Sequence, residues 1–279
     1  MDPSQFEKMF AQANSIMGPF ADMILQTARF PPANGEALVV LDQACGSGVV
    51  SSHIMSRLYP EDKARLDLTC ADISEPAITQ MRRRIEASGW NNARAVTNDA
   101  MSSDFPSSHF THIFFNFGPQ ILPDPIAGLK ECHRTLRPGG VLGLSAWQVV
   151  PWAADYRAGI ATDPSLPAFP TSDQLRYAFS STPEKWDTIH DVTKHLEDSG
   201  LTAIAASSMD NTTTMTIAEV EAMLPYSLDM MIQKFWTKEE VEKFKVPATK
   251  AIVSYLGEKY GTGPVVWKWV AVVACGKKE

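Results

Sequence analysis

The chain has 279 residues, 44% of them apolar, enough for one large α/β domain with an appended region or for two small domains. A formal net charge of −7 argues against DNA or RNA as the main partner, because a phosphate backbone wants a basic face, and the run Arg82-Arg83-Arg84 reads as a solvated helix face. Four widely spaced cysteines, Cys45, Cys70, Cys132 and Cys275, with no C-x-x-C pair, suggest neither a zinc site nor a disulfide scaffold.

Met1-Asp2-Pro3-Ser4-Gln5 carries no secretory signal, and no apolar run is long enough to span a bilayer, so a cytoplasmic protein with no membrane partner is expected. Residues 4–30 place apolar side chains at helical spacing: Phe6, Met9, Phe10 and Ala13, then Ile16, Met17 and Phe20, then Met23, Ile24 and Ala28. Gly18-Pro19 predicts a break into two helices. This segment is either a lid over a ligand or a cover for a sheet edge.

Leu38 to Leu41 is the continuous apolar run of a central strand, closed by Asp42. Gly46 and Gly48 permit a tight turn, and apolar residues at 50, 54, 55 and 58 predict the helix that follows, ended by Pro60. A strand, a Gly-x-Gly turn and a helix N-terminus make a nucleotide cradle. A dinucleotide fingerprint would set a third glycine where this chain has Ser51, which counts against a nicotinamide cofactor.

Leu66 to Ala71 is a second strand, and the Asp72 carboxylate after it suits both hydroxyls of a ribose while repelling a 2′-phosphate. Ser74 is the N-cap of a helix that opens with Glu75-Pro76, buries Ala77, Ile78, Met81 and Ile85, and stops at Gly89. Ala93 to Thr97 is a third strand, followed by Asn98-Asp99-Ala100. Thr111 to Phe115 is the fourth, ending at Asn116-Phe117-Gly118-Pro119, where ligands collect at strand carboxyl ends. His112, within that strand, reads as a core histidine. Asp124-Pro125 opens a helix lined inside by Ile126, Leu129, Cys132 and Leu136, and Leu136-Arg137-Pro138-Gly139-Gly140 turns into a fifth strand.

Residues 147–185, rich in Trp, Pro and Ala, form a long connection of the kind that hints at function. Glu184 to Ser199 predicts a helix ended by Gly200, and Leu201 to Ser208 a sixth strand. Ile217 to Trp236 is an unusually apolar helix, Thr237-Lys238-Glu239-Glu240 is a capping box opening another, and Val265 to Cys275 is the last strand. The helical pair is either a substrate cap with an adaptable Met-rich surface or a second hydrophobic layer.

The Asp42-x-x-x-Gly46-x-Gly48 pattern resembles motif I of the class I S-adenosylmethionine-dependent methyltransferases, with Ala44 where the usual form has glycine. Leu136-Arg137-Pro138-Gly139-Gly140 resembles their segment before the fifth strand. Val40 to Gly46, Leu68 to Glu75, Leu129 to Cys132 and Lys234 to Glu240 resemble fungal small-molecule methyltransferases, particularly the thiol methyltransferases of epidithiodiketopiperazine metabolism. The resemblance implies an α/β fold: a doubly wound, Rossmann-like, seven-stranded sheet with its last strand antiparallel. With the residue pattern it suggests an N-terminal helical lid (1–36), a core (37–213), an inserted helical substrate cap (214–262) and the last core strand (263–279).

The implied cofactor is S-adenosyl-L-methionine, held by Asp42, Ala44, Gly46, Gly48, Asp72, Ile73, Asn98, Asp99, Ala100 and Asn116. Asp99 stands where the family bonds the adenine amino group. Phe20, Phe117, Trp147 and Trp152 are the expected substrate contacts. No metal is expected, because Asn116 stands where catechol-type relatives carry a metal-binding Asp. The reaction implied is methyl transfer to sulfur, nitrogen or oxygen of a small molecule of secondary metabolism. A non-methylating relative that keeps the cofactor, as a cyclase or regulatory module, stays open. His53, His109, His112, His133, His190 and His195 are bases by type only, and none is singled out.

Overall fold

The computed structural model describes residues 3–33, 35–176, 178 and 184–279, with side chains from Glu7 onward; the expected packing of Phe6 lies outside the described residues. Seven strands form one sheet: β1 (Leu38–Gln43), β2 (Leu66–Asp72), β3 (Ala93–Thr97), β4 (Phe110–Asn116), β5 (Leu136–Val149), β6 (Leu201–Met215) and β7 (Val265–Lys278). Their order is β3-β2-β1-β4-β5-β7-β6. The first five pair in parallel, and the last strand is antiparallel. Chain order reverses between β1 and β4, which opens a crevice at their carboxyl ends.

The central strands are covered on both faces, which is why their sequences are apolar without alternation: only Asn116 of β4 escapes burial. Leu41, Ile113, Phe115, Leu129, Leu142 and Val272 share one side of this core.

Among the described residues the helices are α1 (Pro3–Thr27), α2 (Val49–Arg57), α3 (Pro60–Ala64), α4 (Glu75–Ala87), α5 (Pro125–Thr135), α6 (Trp152–Ile160), α7 (Ser172–Arg176), α8 (Ile189–Asp198), α9 (Ile217–Phe235) and α10 (Lys238–Tyr260). The caps read from the sequence are formed: Ser74 accepts from the Ala77 N–H, Asp124 from Ala127, and Thr237 with Glu240 makes the reciprocal box. No helix among the described residues is long and apolar enough to cross a membrane.

The chain forms two compact units. One comprises Met1–Gln148, Phe179–Asn211 and Val270–Glu279, the other Val149–Ala178 and Thr212–Trp269. Residues 149–178, which the sequence reading left with the core, thus fold with the expected cap. In the second unit Gly159 lets α6 approach α10 closely, since a Cβ there would lie 2.7 Å from the Ile252 Cα. Leu224, Leu228, Ile252 and Leu256 are buried in it.

Four sequence expectations are corrected. Pro60 does not merely end a helix; it opens α3. The helix expected from Glu184 begins at Ile189, where Thr188 accepts the Asp191 N–H at 3.0 Å. The long connection after β5 holds α6 and α7, and β6 runs on to Met215, past the expected core boundary at 213.

The fourth concerns α1, which passes through Gly18-Pro19 unbroken. Proline removes the N–H that would bond the Ser15 carbonyl. The Asn211 side-chain amide of β6 supplies the loss, donating to Ser15 O at 2.8 Å and Ile16 O at 2.9 Å. Gly18 is there for space, as a Cβ would come 2.9 Å from the His53 imidazole on α2.

Asn211→Ala should lower stability by about 1–2 kcal/mol, because the Ser15 and Ile16 carbonyls lose their side-chain donor. In a Pro19→Ala background the restored N–H takes over, so the same change should cost about 1 kcal/mol less. Urea midpoints of the four proteins measure this, and equal costs in both backgrounds would refute the role given to Asn211.

Candidate functional site

The turn after β1 is fastened by two carboxylates. Asp42, 1% exposed at the end of β1, accepts from the Ser51 N–H at 3.0 Å and the Ser51 hydroxyl at 2.6 Å. Ser51 occupies the place of the missing third glycine and gives the buried acid its donors. Burial pushes the Asp42 carboxyl up from 3.8 to about 7, against the pull of the two Ser51 bonds. Asp72, at the end of β2, accepts from the Gly46 N–H at 2.9 Å and the Ser74 N–H at 2.9 Å. Each of its oxygens keeps a lone pair for a further donor.

Between these anchors the backbone takes three left-handed steps, Ala44 (φ 52), Gly46 (φ 51) and Gly48 (φ 83). A side chain on Gly48 would add a second cost to that strain, because its Cβ would lie 2.5 Å from the Met81 sulfur on α4 and the Met81 side chain would have to move. Gly46 differs: a Cβ there would meet nothing within 4 Å, so its turn borders open space. Ala44 pays the left-handed penalty of an L-residue where the related motif uses glycine.

Beside Asp72, the apolar side chain of Ile73 is 68% exposed. Past β3, the Asn98 amide is buried and braces its own loop, accepting from the Asp104 N–H at 3.3 Å and donating to Asp99 O at 3.2 Å. Asp99 accepts from the Met101 N–H through Oδ1 at 2.8 Å, and its Oδ2 has no partner among the described residues. Ala100 is buried behind the loop.

At the end of β4, Ser145 of β5 faces Asn116 in register. Its hydroxyl donates to Asn116 Oδ1 at 2.6 Å and accepts the Phe117 N–H at 3.0 Å, which holds Phe117 in a left-handed φ of 56. Phe117 stacks on Trp147, centroids 3.6 Å apart and planes 7° from parallel. Phe20 of α1 meets both edge-on, at 5.3 and 5.4 Å. The Gln120 amide bonds the Trp147 backbone on both its N–H and C=O.

The structure therefore gathers the expected cofactor residues, Asp42 through Asn116, at the carboxyl ends of β1 to β4 and the turns that follow. It joins Phe20, Phe117 and Trp147 in one aromatic trio. Trp152, expected with them, belongs to the second unit, where its ring lies against Tyr156 at 5.0 Å and Phe169 at 6.4 Å. Ser145 and Gln120 were missed. Ser145 was legible as a polar residue inside a buried strand, whereas nothing local marks Gln120. Among the histidines, His53 bonds Asp22 and Asn14, His195 bonds the Lys185 carbonyl, and burial holds His112 down at about 4. Among the described residues no three His, Cys, Asp or Glu side chains gather as a metal site.

An adenosyl cofactor fits this edge of the sheet. The open side of Gly46, the spare acceptors of Asp72 and Asp99 and the bare Ile73 side chain match a ribose, an amino group and a flat ring.

Comparison with known proteins agrees. Residues 40–140 match the family model described as a methyltransferase domain. Methyltransferase tpcH of Aspergillus fumigatus is 30% identical over 98% of this chain and 96% of its own. Acetylaranotin bis-thiomethyltransferase of Aspergillus terreus is 29% identical over 92% of this chain and 88% of its own. Among solved structures, the [4+2]-cyclase SpnF shares the fold at a TM-score of 0.56, with 15% identity over 94% of this chain and 81% of that one. A geranyl diphosphate methyltransferase solved with its cofactor does so at 0.53, with 12% identity over 99% and 91%.

Two outcomes test the turn. The folded Asp42 titrates near 7 and the unfolded near 3.8, so the folded state binds the extra proton between these values. Ligand-free stability should fall as pH rises through that window and level off above it; Asp42→Asn should remove this component of the slope in denaturation midpoints taken across pH. Separately, Ala44→Gly should stabilise by up to about 1 kcal/mol by relieving the left-handed alanine. A loss of stability instead would contradict the strain assigned there.

Proposed function

The chain belongs to the class I S-adenosylmethionine-dependent methyltransferases of fungal secondary-metabolite type, and from that premise we propose that it methylates a small apolar molecule, most readily on a thiol sulfur. The observation that carries this reading is the aromatic corner. Phe20, Phe117 and Trp147 form it, and the polar side chains bonded to it, Asn116, Ser145 and Gln120, are uncharged. A corner of this kind desolvates and aligns a nucleophile but offers no strong base. A thiol needs little more, since its ordinary pKa of about 8.5 keeps some thiolate present near neutrality. The relative at 29% identity that is named a bis-thiomethyltransferase supports the same preference.

When bound, S-adenosylmethionine supplies a methyl group already activated by the positive sulfonium. The chain's own residues do the rest. Asp72 and Asp99 are assigned to the ribose and the adenine amino group, Ile73 to the ring face, and the turn Asp42 to Gly48 to the methionine part. Asn98 and Ala100 shape the adenine loop from behind. Asn116, fixed by Ser145, and the trio orient the acceptor against the methyl and exclude water. We assign α1 the part of a lid through Phe20.

Asp72→Ala should weaken S-adenosylmethionine binding at least about 100-fold, since two hydrogen bonds to a charged group are lost. Asp72→Asn, which still accepts from the Gly46 N–H, should recover part of it. Calorimetry reads both, and unchanged affinity would remove the ribose role. Turnover is tested by S-adenosylhomocysteine release from matched apolar thiols and phenols. Release with phenols alone would overturn the sulfur preference. Release with neither would favour a non-methylating relative.

A further inference from the structure

A second cleft, of about 560 Å³, opens at the other edge of the sheet. It is lined by the start of β5, by His112 near the start of β4, and by Arg29 and Pro31 in the segment after α1. Because β7 is antiparallel, its far end brings Lys277 to the same place. The glycine turn lies at the carboxyl ends of the parallel strands, so this cleft belongs to their amino edge and to a different site.

Its charge runs against that of the chain. Arg29, Arg137 and Lys277 line it and no carboxylate does, in a protein of net charge −7. The Arg29 and Lys277 side chains have no ion pair or hydrogen bond among the described residues. Arg137 pairs with Glu36 at 2.8 Å, but both ends are solvent-exposed, at 39% and 58%, and such a pair holds weakly. At the back lies His112, only 6% exposed. Its Nδ1 bonds the Thr111 hydroxyl at 2.9 Å, and its Nε2 has no partner among the described residues. Burial, and the positive field of Arg137 and Arg65, hold this imidazole down at about 4, so it is neutral. The remaining walls are apolar: Ala28, Pro31, Pro32 and Val141.

We propose that this cleft is a second ligand site, for a small amphipathic anion that carries a carboxylate or phosphate on a flat apolar body. The cations meet the charged group, the prolines and Val141 take the body, and His112 Nε2 offers one buried hydrogen bond. The volume suits one small molecule. The site is separate from the methyl-transfer crevice and stands whether or not the sulfur preference does.

The test titrates the full chain with naphthalene-2-carboxylate by calorimetry, with 2-naphthylmethanol as the uncharged control. The carboxylate should saturate below about 1 mM, and the alcohol should bind at least about tenfold more weakly. The Arg29→Gln/Lys277→Gln double variant should lose about tenfold or more for the carboxylate, with melting temperature and S-adenosylhomocysteine affinity unchanged. A readout that needs no variant is the His112 ring resonance, which should shift on titration. Equal binding of acid and alcohol, unchanged binding by the double variant, competition by S-adenosylhomocysteine, or no saturation by about 10 mM would each overturn the proposal.

Discussion

The structure depends on how one short turn is tied down. Between β1 and α2 the chain must leave a buried strand, pass three left-handed residues and start a helix. Left-handed steps do not persist without support. Two carboxylates provide it from opposite sides: Asp42 grips the helix through Ser51, and Asp72 grips the turn through the Gly46 N–H. The acids differ in consequence. Asp42 is sealed and has both donors from one residue, so burial raises its pKa. Asp72 stays half-buried and keeps acceptor capacity for something else.

The second unit uses a related device. Asp155, 3% exposed on α6, accepts from Lys259 at 2.6 Å, from Trp267 Nε1 at 2.7 Å and from the Tyr260 hydroxyl at 3.1 Å. One buried acceptor thereby fixes α6 to the end of α10 and the start of β7, and it holds the Lys259 ammonium above its usual pKa. A carboxylate buried with several donors is stable where an unpaired one would be very costly. Both units thus use an acid to tie segments of chain together: two through Asp42 in the first, three through Asp155 in the second.

What the sequence made legible was local. Strands buried on both faces announced themselves as apolar runs, and Ser74, Asp124 and Thr237 declared helix starts through side chains that bond their own next turn. The residues proposed for the cofactor could be named from the sequence for the same reason, since they lie at strand ends or in the turns that follow. What stayed hidden depends on distant partners. The continuity of α1 through Pro19 rests on Asn211, 196 positions from the Ser15 carbonyl it serves. Gln120 reads as a loop amide until the Trp147 backbone is beside it. Trp152 carries the same aromatic signal as Trp147, and only the fold separates their neighbours. Ser51 was visible merely as a glycine that is absent; its donation to Asp42 emerges once the turn is folded.

The strand order carries a consequence for how the chain is made. β7, made after both its neighbours, lies between β5 and β6. Until it arrives, β6 has no neighbour in the sheet, and Asn211 on β6 is in turn the support for a helix synthesised near the outset. Vectorial synthesis can settle β1 to β5 early, but the far edge and the middle of the first helix must wait for β7. In that interval β5 and β6 expose unpaired edges and α1 exposes unbonded carbonyls. A nascent chain that carries β6 but stops short of Val265 is therefore the form most exposed to aggregation and the one a chaperone would most need to hold.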